Sequence, residues 1–181
     1  SDGYKRRNTA VTWAQQGKKV LLIDADMRRP TIHATFSLPN VQGLSNILAG
    51  NAEFADTVHE TVIDNLAVLT SGPIPPNPAD LLNSKRMHAL LDAVQTQYDV
   101  VVLDVPPLLS VTDSQLLSAS VDGVVLVVRQ GVAQRVDVSR SVELLKMSKA
   151  NLLGYVLNDV EPKHGYGYGY GYGYGYESKP K

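Results

Sequence analysis

Val20-Leu21-Leu22-Ile23-Asp24-Ala25-Asp26-Met27-Arg28-Arg29-Pro30 decides how this chain is read. An apolar, β-rich run ends in two carboxylates one residue apart, and a basic pair follows at once. Lys19 to Ile23 therefore reads as a short buried strand. Asp24 falls at its carboxyl end, where open α/β sheets place their ligands. Two acids followed by Arg28 and Arg29 suit a cation and an anion held side by side, and Mg²⁺ with a phosphate chain is the obvious pair. A lone Asp there would more simply be a solvated loop charge. A second stretch, Tyr98-Asp99-Val100-Val101-Val102-Leu103-Asp104, shifts the balance because it too ends an apolar run in an acid.

Working outward, strands and helices alternate. A helix over about Asn8 to Gln16 is closed by Gly17, and the strand to Ile23 follows. A long polar loop with Pro30 and Pro39 runs to Gly43. Leu44 to Leu48 is a short helix ended by Gly50, and Phe54 to His59 is read as another. Leu66 to Leu69 is a strand. Four prolines in SGPIPPNPADLL forbid regular structure until a helix that Asn77 and Pro78 can start. Lys85 to Gln97 carries Met87, Leu90, Leu91 and Val94 at helical spacing. Strands over 100–103, 123–128 and 152–157 are separated by helices opening near Thr112 or Asp113 and spanning Val136 to Met147. The strands are apolar throughout rather than alternating, which predicts a mostly parallel sheet buried between helices, an α/β fold. Right-handed crossovers then bring Asp24 and Asp104 to one sheet edge.

Composition narrows the function classes. The 181 residues make one domain with tail, and the formal net charge of −1 gives no reason to expect nucleic acid. No cysteine is present, so thiolate metal sites and disulfides are excluded. No apolar run reaches the roughly 18 residues of a membrane helix. Residues 1–162 read as the α/β domain and 163–181 as a flexible tail. Within the tail, Gly165 to Tyr176 alternates Gly and Tyr, and Tyr166, Tyr168, Tyr170, Tyr172, Tyr174 and Tyr176 are six of the nine tyrosines. They are low-complexity stickers or mobile phenols able to enter a phosphoryl-transfer site. Each phosphate would add roughly −1.5 to −2 charges, so several together would repel strongly.

The roles of the acids stay open at this level. Asp24 is a base or an orienting group for a hydroxyl. Asp26 holds a metal or its water, and Asp104 is the metal acid of the second strand. Arg28 and Arg29 bind phosphate or balance these acids. His33 is read as a structural loop histidine, since no second His stands at metal spacing.

These residues resemble a family. VLLIDADMRRP is similar to the second Walker motif (A-prime) of bacterial tyrosine kinases, and VVVLDVPP to their Walker B, with Val105 where Thr is more usual. GLSNILAG, LTSGPIPPNPADLLNS and GYVLND follow in the family's order, and the tyrosine tail completes the pattern. The resemblance implies the stand-alone cytoplasmic kinases of capsule and exopolysaccharide synthesis, on a P-loop NTPase fold. It implies ATP and Mg²⁺, with Asp24 preparing the tyrosine hydroxyl, Asp26 and Asp104 at the metal, Arg28 near the phosphates, Asn158 near the adenine and the tail tyrosines as acceptors. It implies a homo-oligomeric ring, an activating membrane adaptor of the chain-length-regulator class that holds the kinase at the inner face of the membrane, and an opposing tyrosine phosphatase. One departure stands out. No G-x-x-x-x-G-K-[ST] phosphate loop occurs, and aligning the first helix puts Asp2 and Gly3 at the positions of its Lys and Ser/Thr. The fold is therefore expected to be incomplete at its N-terminus. Two alternatives follow: a non-catalytic phospho-acceptor or scaffold in the same machinery, and a positioning ATPase like those that partition DNA or place division sites.

Overall fold

The computed structural model describes residues 3–159, with side chains from residue 8 onward. Helix α1 (Gly3–Gln15) precedes strand β1 (Val20–Asp24). Gly17 makes the turn between them at φ +84, its N–H bonding the Ala14 carbonyl at 2.9 Å. Short helices α2 (Ile32–Phe36), α3 (Leu44–Ala49) and α4 (Phe54–Thr57) follow, then strands β2 (Val58–Glu60) and β3 (Leu66–Leu69). Helices α5 (Pro78–Leu82) and α6 (Lys85–Val94) lead to β4 (Val100–Asp104). Helix α7 (Asp113–Ser118), strand β5 (Val124–Arg129), helix α8 (Arg135–Met147) and strand β6 (Leu152–Asn158) complete the described chain.

β1 is the centre of the fold. It pairs in parallel with β3 on one side and β4 on the other, in a four-stranded sheet of order β2-β3-β1-β4. Every residue of VLLID is buried. Alternation divides its side chains between two layers, as a pleated strand must. Leu21 and Ile23 pack with Leu44 and Leu48 of α3, Leu82 of α5, Met87 of α6 and Leu117 of α7. Val20 and Leu22 pack with Ala10 and Ala14 of α1 and Ile32 of α2. Helices thus cover both faces of a mostly parallel sheet, the expected α/β arrangement.

Three expectations are corrected. The polar stretch from Pro30 to Gly43 contains helix α2, because Ile32 enters the core and the Asp24 carboxylate receives the helix's first free N–H groups. The segment 54–59 does not stay helical. After one turn it becomes β2, which pairs antiparallel with β3 through Val58 and Leu69, so the sheet is mixed. The strands are also not all buried on both faces. β5 and β6 form a separate parallel pair. Val125 and Val127 are 52% and 43% exposed, and Tyr155 and Leu157 are 70% and 53% exposed. Among the described residues β4 pairs only with β1 and β5 only with β6, so each keeps one open edge. An edge strand has fewer flanking side chains, which is why Val100 to Leu103 are half-buried although their sequence is as apolar as β1.

Candidate active site

Parallel pairing sets the two acid-bearing strand ends side by side. Asp24 and Asp104 are direct partners in the β1–β4 register, and the Ala25 N–H donates to the Asp104 carbonyl at 2.8 Å. Both side chains are buried, at 0% and 2% exposure. The two oxygens of Asp24 do different things. Oδ2 accepts the backbone N–H groups of Thr31 (3.1 Å) and Ile32 (3.0 Å), closing the start of α2. Oδ1 is buried with no hydrogen-bond partner among the described residues. Burial pushes this carboxyl above its ordinary range. The backbone N–H groups of Ile32, Thr31 and Asp26 pull it back, and the neighbouring Asp26 charge adds to the rise. A carboxylate with one oxygen tied down and the other bare has an aimed site for a proton or a cation.

Asp26 lies on the turn after β1. Its Oδ1 accepts the backbone N–H groups of Arg28 (3.2 Å) and Arg29 (3.0 Å). The Arg28 guanidinium reaches across to the buried carboxylate of Asp113 at the start of α7, Nε to Oδ2 at 2.8 Å and Nη2 to Oδ1 at 3.1 Å. That pairing holds its proton more firmly than usual. Arg28 is thus engaged with Asp113, while Arg29 is exposed. Asn158 ends β6, buried, its Oδ1 accepting the Asp159 N–H at 2.9 Å. His33 sits in α2 rather than a loop, with a buried Nδ1 that has no partner among the described residues. The six tail tyrosines lie outside the described residues.

The acids suit Mg²⁺, which takes one or two carboxylates, several waters and phosphate oxygens rather than an all-protein cage. Asp104 at the end of β4 and Asp26 on the turn after β1 offer such a hard cation carboxylate oxygens, which leaves the bare Oδ1 of Asp24 beside them for a proton. Among the described residues no three His, Cys, Asp or Glu side chains gather into a cage.

An AAA-domain family model matches residues 5–151, most of the described chain. The tyrosine-protein kinase YwqD of Bacillus subtilis is 46% identical over 151 residues, which are 83% of this chain and 64% of YwqD. The crystal structure of the chimerical protein CapA2B2 superimposes with a TM-score of 0.84 at 43% identity, covering 87% of this chain and 70% of that one. The kinase domain of the Escherichia coli tyrosine kinase ETK gives a TM-score of 0.83 at 39% identity, covering 90% of this chain and 64% of that one. The chain belongs to the bacterial tyrosine kinases. It spans just under two thirds of the length of YwqD.

No helix of the described residues is long and apolar enough to cross a membrane. Sequence reasoning located Asp24, Asp26 and Asp104 at the sheet edge. It missed Asp113, which reads in sequence only as a helix opener, and Ser114 beside it, which donates to the Pro106 carbonyl. It missed the backbone N–H groups of Thr31 and Ile32 as well. A charged residue at the start of a helix after an acid-ended strand was the available signal. Nothing in the spacing ties it to an arginine 85 positions earlier.

Proposed function

We propose that this chain carries the acid and metal half of a protein-tyrosine kinase of capsule or exopolysaccharide synthesis, and that its own tail is an acceptor. The observation that carries the reading is Asp24, buried, with Oδ2 fixed on α2 and Oδ1 bare, directly beside Asp104. Oδ1 would take the phenolic proton of an incoming tyrosine, and its raised proton affinity supports that transfer. Asp26 and Asp104 would hold Mg²⁺. The bound ion would neutralise charge on the transferring phosphoryl group. Asn158 would lie against the nucleotide base. A membrane adaptor, a ring of copies and a phosphatase acting on Tyr166 to Tyr176 belong to the same proposal, as does a place at the inner face of the membrane. Incubation with Mg²⁺ and labelled ATP, followed by phosphotyrosine mapping, tests it. Label on the tail that falls at least about a hundredfold in Asp24→Asn is the expected result. Absence of label beside an active YwqD control would refute catalysis by this chain.

A second reading, supported by the six tyrosines of the Gly-Tyr stretch, is that the chain accepts phosphate from an active relative. An active kinase added in trans should then label Tyr166 to Tyr176, and an unmodified tail would rule this out.

A further inference from the structure

Two side-chain links close a ring between the acid-bearing strand ends. From the β1 side, the turn after Asp26 is folded onto that residue's Oδ1 by the N–H groups of Arg28 and Arg29. Arg28 then extends its guanidinium to Asp113, filling both carboxylate oxygens at 2.8 and 3.1 Å. From the β4 side, Ser114 binds the carbonyl of Pro106, two residues past Asp104. Asp113 and Ser114 are successive residues in the first turn of α7. Helix α7 thus grips both loops at once, in addition to the β1–β4 ladder.

The fork is asymmetric in exposure. The Arg28 side chain is 43% exposed and Asp113 1%. A buried carboxylate needs its cation, whereas an arginine beside solvent does not need a carboxylate. The planar guanidinium matches both oxygens, which a lysine ammonium cannot do. The buried member therefore dictates where the arginine, and with it the Asp26 turn, must lie.

We propose that Asp113 is a positioning residue of this site. Through Arg28 it fixes the turn bearing Asp26 relative to Asp104, so that Arg28 serves as a strut and not as a phosphate ligand. The inference rests on the reading of these acids as a metal pair, and the experiment separates the two.

Amide hydrogen exchange and Mn²⁺ titration are measured on the full chain, on Asp113→Asn and on Arg28→Lys. In Asp113→Asn, amides 25–32 should exchange at least about tenfold faster, the factor that loss of one charge-assisted hydrogen bond carries. Amides 66–69 of β3 should stay within about twofold, and Mn²⁺ should bind about tenfold more weakly. Arg28→Lys keeps the charge and one contact, so it should fall between and keep the chain folded if Asp113→Asn does not. Unchanged exchange at 25–32 in both variants overturns the strut. Faster exchange with unchanged Mn²⁺ affinity overturns the positioning role. If the unaltered chain binds no Mn²⁺, the metal reading fails and the positioning role fails with it, while the exchange data still decide the strut.

Discussion

Gly43 offers the sharpest quantitative test of the scaffold behind the site. It stands at the start of α3, where that helix meets the exit of β3. The Leu44 and Ser45 N–H groups donate to the carbonyls of Thr70 and Ser71 at 2.8 and 2.9 Å. A Cβ at position 43 would lie 2.3 Å from both the Gly72 nitrogen and the Thr70 oxygen, and 2.8 Å from the Ser71 carbonyl carbon. All three are backbone atoms, so no side chain can swing away. The φ of Gly43 is extended at 179, so the substitution is opposed by this close approach and not by dihedral preference. Relief requires moving α3 off the strand exit, which stretches both backbone bonds. Each contributes about 1 kcal/mol net, and overpacking adds about 1–3 kcal/mol. Gly43→Ala should therefore destabilise by about 3–5 kcal/mol. Urea unfolding followed by circular dichroism reads the loss as a lower midpoint at constant slope. A loss under about 1 kcal/mol would refute the argument, because it would mean that α3 and the Thr70–Gly72 backbone do not meet this closely.

Two further outcomes follow from β1. Leu22→Ala empties a fully buried position between α1, α2 and the sheet, and should cost about 2–5 kcal/mol in the same unfolding assay. The carboxyl of Asp24 has a folded-state pKa raised above its ordinary 3.8. Above 3.8 the unfolded chain gives up this proton while the folded chain still holds it. The folded state therefore binds more protons, and stability falls as pH rises through that window until the raised folded value is passed. Asp24→Asn removes this titration. Unfolding midpoints measured between about pH 3 and 8 should show a decline in the parent that the variant lacks, and identical slopes would contradict it.

How much was legible before the structure depends on the physics behind each element. β1, β3 and β4 announce themselves because an apolar run with an acid or a turn at its end has few alternatives. Helix α6 does so through its spacing of Met87, Leu90 and Val94, all of which are buried. β2 is three residues long, and Val-His-Glu has no periodic pattern to read, so only its partner β3 makes it a strand. Helix α2 is hidden for a similar reason, since its starting cap comes from Asp24 and not from a neighbour in sequence. The acids of the site were visible as strand ends. Their division of labour was not, because which oxygen of Asp24 is tied and which is bare depends on a loop that returns seven residues later. Arg28 illustrates the same limit: a basic residue after two acids suggests phosphate, and only tertiary packing reveals Asp113 as its partner.

The separation of β5–β6 from the main sheet has a consequence for cooperativity. No ladder bond carries stability from β4 to β5 among the described residues. Helix α7, which packs against α5 of the main part, also packs against α8 of the other. A region with half-exposed valines and its own small sheet opens at lower free energy than the buried centre around Leu21 and Ile23. The Asn158 end of the site therefore belongs to a softer unit than the Asp24 and Asp104 end. Whatever spans both ends would order the softer unit and raise its stability toward that of the main sheet.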